Sequence, residues 1–104
     1  MVVIDTLRAD HLSSYGYQDE TTPSIDALAA AGWRFERAFS QAPWTTPSIG
    51  SLLSSRYPSE LGIEDERSTL SEELLLLPEV LRAAGYATGA VVSHSFCSAE
   101  WGFA

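Results

Sequence analysis

The segment Trp33-Arg34-Phe35-Glu36-Arg37-Ala38-Phe39 is followed almost at once by Ala42-Pro43-Trp44-Thr45-Thr46-Pro47-Ser48-Ile49-Gly50-Ser51-Leu52-Leu53-Ser54-Ser55-Arg56-Tyr57-Pro58. The first stretch alternates apolar with other residues, the pattern of a short half-buried strand with Trp33 and Phe35 toward a core. The second reads as a loop that delivers hydroxyls to a helix running to about Ser55 and ended by Tyr57-Pro58. Pro47 presets a backbone angle suited to a first helical turn. Thr45, Thr46 or Ser48 can cap the N–H groups there. A helix start draws anions, because its N–H groups and the positive end of its dipole point outward. A hydroxyl held at that place can attack a phosphorus or sulfur centre, so the segment is a candidate nucleophile loop.

Working outward, the same alternation of strand and helix recurs. Met1-Val2-Val3-Ile4 is an apolar, β-branched run of the kind found in buried strands. It ends at Asp5, the place where ligand groups gather in open α/β sheets. Thr22-Pro23 signals a helix start, with Thr22 as cap, Ile25, Leu28 and Ala29 on one face, and Gly32 as the stop. Glu60 to Glu73 reads as an exposed polar connection. A further helix runs from Leu77 to Ala84, with Pro78 in its first turn and Gly85 past its end. Ala87 to Ser93 reads as another buried strand. Strands alternating with helices place the chain in the α/β class. So few strands make a poor sheet, so others are expected from sequence outside these residues. Both ends look cut, at the Met1–Ile4 run and at Glu100-Trp101-Gly102-Phe103-Ala104. Residues 1–104 are thus expected to be a piece of a larger domain, truncated at both ends.

With 104 residues, at most one ordinary domain fits. Fourteen acidic residues against six basic ones give a net charge of −8, which argues against nucleic acid as a partner. Glu64, Asp65, Glu66, Glu72 and Glu73 crowd one segment and read as a solvated loop. Every basic residue is Arg, so no Lys is present to clamp an anion. Cys97 is the single cysteine, which excludes an internal disulfide and a multi-cysteine zinc cluster. No stretch is apolar for long enough to span a membrane, and none has the form of a signal peptide.

Several residues carry possible chemistry. Asp5, at a strand end, suits a hard cation such as calcium, magnesium, manganese or zinc; capping or loop duty is its bland alternative. Asp10 and His11 lie near it in sequence. Thr45 offers a hydroxyl that needs a base or a metal to become a nucleophile, against plain helix capping as the alternative. No Ser-His-Asp pattern is visible to activate it. Thr46 stands beside it at the same helix start. His94 follows a predicted strand and could bind an anion or serve a structural purpose.

At this point the chain resembles the sulfatase family. The likeness rests on Asp5-Thr6-Leu7-Arg8-Ala9-Asp10-His11-Leu12 with Ser14-Tyr15-Gly16-Tyr17, and on Thr22-Pro23-Ser24-Ile25-Asp26-Ala27-Leu28-Ala29. Trp44-Thr45-Thr46-Pro47-Ser48 through Tyr57-Pro58 and Leu81-Arg82-Ala83-Ala84-Gly85-Tyr86-Ala87-Thr88 complete it. The resemblance implies a partial alkaline-phosphatase-like three-layer α/β sandwich and metal-dependent hydrolysis of sulfate or phosphate esters. It implies a divalent metal ion held by Asp5, an anionic ester substrate, Thr45 at the nucleophile position, and further metal ligands downstream of Ala104. It also implies that residues 1–104 are the N-terminal portion of a catalytic domain. Thr46 and His94 remain candidate anion-binding residues from their own positions, at a helix start and a strand end. The departures narrow the chemistry. Family sulfatases convert a Cys or Ser to formylglycine in a pattern with Pro two places on and Arg four places on. Here Pro47 is present, but Thr45 and Ile49 stand at the other positions. Oxidising a secondary alcohol gives a ketone, so formylglycine is not expected. Thr6 replaces the second Asp of the metal pair, and Ser93-His94-Ser95 replaces a Lys-Trp-His run, leaving His94 one place off the family His. A Thr nucleophile is similar to the phosphatase and phosphodiesterase branches of the superfamily. The competing expectations are a non-catalytic, sulfatase-like member with a structural or binding role and a small α/β binding module unrelated to esters.

Overall fold

The computed structural model describes residues 1–65 and 67–103; Glu66 of the acidic segment and the chain end at Ala104 lie outside the described residues. The chain divides into two compact units, Met1–Ala38 and Phe39–Ala104.

In the first unit the ordered elements are two short 3-10 turns, Ala9–His11 and Ser13–Tyr15, and helix α1, Pro23–Ala31. Pro23 opens α1 and Gly32 closes it, as the sequence predicts. The expected Thr22 cap is not made, although Thr22 occupies the N-cap position. Its hydroxyl lies 3.3 Å from both carboxylate oxygens of Asp26 instead. Asp26 in turn accepts the backbone N–H of Ser14 at 2.9 Å, which ties the Ser13–Tyr15 turn to α1. A charged acceptor makes this a strong tie, about 1.5–3 kcal/mol. Leu12 is the buried apolar residue of this unit.

The second unit is organised around helix α2, Thr45–Ser54, with α3 (Pro58–Leu61), α4 (Leu77–Ala83) and the 3-10 turn Ser95–Cys97 against it. A further 3-10 turn, Ala99–Trp101, follows. Pro58 opens α3, and the Glu60 carboxylate accepts the Tyr57 N–H at 2.9 Å. The Glu79 carboxylate does the same for Leu76 N–H at 2.8 Å ahead of α4. Each carboxylate satisfies a helix-start donor and faces the positive end of the dipole. Helix α4 ends in a Schellman motif: Gly85 N–H bonds Arg82 O and Tyr86 N–H bonds Leu81 O, both at 3.0 Å. Gly85 sits at φ 89°, which a side chain would strain.

The described residues contain no β-strand, so the expected three-layer α/β sandwich is not confirmed within them. Met1–Ile4, Trp33–Phe39 and Ala87–Ser93, read as strands, pair with nothing in a ladder. A strand is stable only with neighbours that take up its N–H and C=O groups and cover its apolar face. The exposures match that lack: Val2 is 88% exposed, Trp33 94% and Phe39 79%. Trp33 and Phe35 therefore do not face a core. Within the first unit, Phe35 O accepts the Tyr15 hydroxyl at 2.7 Å, and the Arg34 guanidinium bonds Ser14 O and lies 4.9 Å over the Tyr15 ring.

The core falls elsewhere than expected. Leu61, Ile63 and Leu70 form the buried cluster, with Trp44, Leu74 and Phe103 packed against it. All three come from Glu60–Glu73, which polar composition had marked as an exposed connection. The described polar residues of that stretch lie mostly exposed, while Leu61, Ile63 and Leu70 turn inward. No helix of the described residues is long and apolar enough to cross a membrane.

Candidate functional site

Thr45 is the first residue of α2, not a loop residue ahead of it. The residue at the N-cap is Trp44, in extended conformation and without a side-chain cap. The N-cap position falls on Trp44 rather than on a hydroxyl residue, and packing helps fix the helix start. Trp44 O accepts Ser48 N–H at 3.3 Å, and the Trp44 ring packs on the core cluster. Thr46 is only 1% exposed, and Pro47 is fully buried beside it. Thr45 is half-buried between these two anchors. The first turn of a helix offers outward N–H groups to an anion. Pro47, within that turn, contributes none.

The approach of α2 to the core depends on Gly50. A Cβ there would lie 3.0 Å from Leu70 Cδ2 and 3.2 Å from Leu61 Cδ1. Ser54 Oγ bonds Gly50 O at 2.7 Å, and Ser55 closes the helix with its N–H on Ser51 O at 2.9 Å. Ser55 does so in the left-handed region, φ 59°. Ahead of the helix, Ser40 Oγ lies 2.7 Å from both Ala42 O and Ser48 Oγ. Sequence reasoning missed Ser40: nothing in local spacing marks a hydroxyl eight positions from its partner.

Asp5 belongs to the first unit, where it is exposed and its Oδ1 accepts Thr6 N–H at 3.1 Å. Thr6 holds φ 55°, uncommon for a β-branched side chain. Asp10, a nearby candidate, pairs with Arg8, whose Nε donates to Asp10 Oδ1 at 2.9 Å. The guanidinium hydrogen bond, then its charge, holds the Asp10 carboxyl below the usual range. His11 stacks on Tyr17 at 4.9 Å between ring centres. Among the described residues no three His, Cys, Asp or Glu side chains converge as a metal site.

His94 lies in the second unit with Thr45 and Thr46. Its Nδ1 accepts Phe96 N–H at 3.3 Å, capping the Ser95–Cys97 turn, and its ring stacks on Phe96 at 5.4 Å. Thr46 is placed in the interior, where it anchors the helix start.

The family model described as Sulfatase matches residues 1–103. Among curated proteins, arylsulfatase A of Bos taurus is 37% identical over 95 residues, covering 86% of this chain and 19% of that protein. Arylsulfatase A of Homo sapiens is 36% identical over 95 residues, with the same coverage of 86% and 19%. An N-acetylgalactosamine-6-O-sulfatase of Bacteroides thetaiotaomicron is also 36% identical over 95 residues, again 86% of this chain and 19% of that protein. This chain therefore spans about a fifth of the length of the curated relatives it matches. No solved structure matches it significantly.

Proposed function

This chain belongs to the sulfatase family, and from that premise we propose that the whole protein is a metal-dependent hydrolase of sulfate or phosphate esters with Thr45 as its nucleophile. The fold proposed for the whole protein is the family's α/β sandwich, in which Met1–Ile4 and Ala87–Ser93 gain strand partners. The observation that carries the reading is the setting of Thr45: first residue of α2, half-buried, between the core-packed Trp44 and the buried Thr46-Pro47 pair. A nucleophile needs a fixed position before it needs reactivity, since orientation alone supplies a large share of rate.

In this reading Thr45 Oγ1 attacks the phosphorus or sulfur, the bond to the ester oxygen breaks, and the alcohol leaves with a proton. Water then attacks the threonyl phosphate or sulfate and restores the hydroxyl. First-turn N–H groups of α2 stabilise the charge that develops on the non-bridging oxygens. Phosphoryl chemistry suits the unmodified Thr best, because formylglycine cannot form from it. A divalent ion, when bound, lowers the pKa of a coordinated hydroxyl and offsets the ester's charge. Asp5 would hold it, together with ligands from elsewhere in the whole protein, since the described residues bring no set of three together. The proposed partner is an anionic ester. The alternative, a non-catalytic member, is favoured by Ile49 and Thr6, which stand at positions where the family carries Arg and Asp.

The test is Thr45→Ala in the full-length protein, with p-nitrophenyl phosphate and p-nitrophenyl sulfate as substrates. Turnover should vanish while circular dichroism remains that of the wild type. Retained turnover would remove Thr45 from the nucleophile position.

A further inference from the structure

We propose that Ser40 is a positioning residue for Thr45, acting through a hydroxyl clasp with Ser48 that closes the loop in which Thr45 stands. This rests on the reading of Thr45 as nucleophile. Ser40 Oγ has one proton and two oxygen neighbours, Ala42 O and Ser48 Oγ, each at 2.7 Å. A carbonyl can only accept, so the Ser40 proton goes to Ala42 O. Ser48 is then the donor to Ser40, and the clasp has a defined direction. Ser48 also donates its backbone N–H to Trp44 O at 3.3 Å. One residue thus holds both the far end of the loop, through its side chain, and the residue before Thr45, through its backbone.

These bonds close residues 40–48 into a ring that contains Thr45. Two prolines, Pro43 and Pro47, remove backbone freedom from the same ring. Trp44 packs on the core cluster on one side of Thr45, and Thr46 is buried on the other. What remains adjustable is the approach of the chain from Phe39 to Trp44, and Ser40 is the residue that fixes it. Ser40 is exposed, so truncating it leaves no cavity, and an exposed hydrogen bond contributes little to global stability. Its loss acts on geometry instead, where a displacement of about 1 Å can cost on the order of 100-fold in rate.

The experiment compares wild type, Ser40→Ala, Ser48→Ala, the double variant, Ser40→Thr and Thr45→Ala in the full-length protein. Steady-state kinetics use p-nitrophenyl phosphate and p-nitrophenyl sulfate, and amide hydrogen exchange is followed over residues 42–48. Ser40→Ala and Ser48→Ala should each lower kcat about 10- to 100-fold with KM little changed. The double variant should be no worse than Ser40→Ala, which already removes the bond to Ser48 together with that to Ala42 O. Ser40→Thr, which keeps the hydroxyl, should restore kcat. Exchange over residues 42–48 should quicken in Ser40→Ala while α4 is unaffected, a readout that needs no turnover. An inactive Thr45→Ala beside a Ser40→Ala of wild-type kcat overturns the clasp alone. Unchanged exchange over residues 42–48 overturns it too. A Thr45→Ala variant that still turns over overturns the nucleophile reading and the clasp's role with it.

Discussion

Replacing Gly102 by Ala loads two costs onto one methyl group, and Gly62 separates them. Both glycines lie in the left-handed region, at φ 83°, ψ 20° and φ 67°, ψ 21°. For an L-residue that backbone alone costs about 1–2 kcal/mol. Around Gly62 a Cβ would meet nothing within 4 Å. At Gly102 it would stand 2.6 Å from Leu70 O and 2.8 Å from Leu70 Cβ. Those atoms cannot swing away as a side-chain tip can, because Leu70 is buried and its N–H is bonded to Trp101 O at 3.1 Å. Relieving such a contact means moving backbone, an overpacking cost of about 1–3 kcal/mol. Gly62→Ala should therefore destabilise by about 1–2 kcal/mol, and Gly102→Ala by about 2–5 kcal/mol. Urea unfolding of the whole protein, followed by tryptophan fluorescence, ranks the midpoints. A Gly102→Ala midpoint equal to or above that of Gly62→Ala would refute the close seat of Gly102 on Leu70.

Ser55 closes α2 at φ 59°, so Ser55→Gly should raise stability by about 1 kcal/mol, read as a higher urea midpoint; a lower midpoint would show that the serine hydroxyl does more than the backbone costs. Asp5→Ala should lower the metal content of the purified protein by elemental analysis, and an unchanged stoichiometry would take Asp5 out of the metal site. Asp65 is held below the usual carboxylate range by the Ser68 hydroxyl first, then by the Arg67 and Ser68 N–H groups. A depressed folded pKa means the stabilisation is present at neutral pH and is lost as pH falls through the folded value. The wild type should thus exceed Asp65→Asn in unfolding midpoint at pH 7, with the gap shrinking as pH falls below about 4; a gap that does not shrink with falling pH contradicts the assignment.

Signals that act within a turn or two were legible in the sequence. Pro23 and Gly32 bound α1, Leu77 opens α4, and Gly85 stops it, because caps and prolines work through neighbouring backbone. Family membership was legible for a similar reason: it rests on the order and spacing of residues along the chain, and the Sulfatase family model matches residues 1–103. The identity of residue 45 also carries the expectation that no aldehyde forms there, since oxidising a secondary alcohol gives a ketone.

Three matters were decided by tertiary structure. Met1–Ile4 and Ala87–Ser93 have strand composition, yet strand formation depends on partners distant in sequence, and among the described residues they have none. Leu61, Ile63 and Leu70 sit in an acidic stretch whose average polarity hides them, since burial is set by which side chains α2 admits at Gly50 rather than by local composition. The setting of Thr45 is the third. Its sequence neighbourhood announces a helix start, but its placement comes from Trp44 on the core, Thr46 in the interior, and a serine pair brought together across the loop. Residue identity determines which chemistry is open to Thr45; contacts between residues distant along the chain determine where its hydroxyl is held.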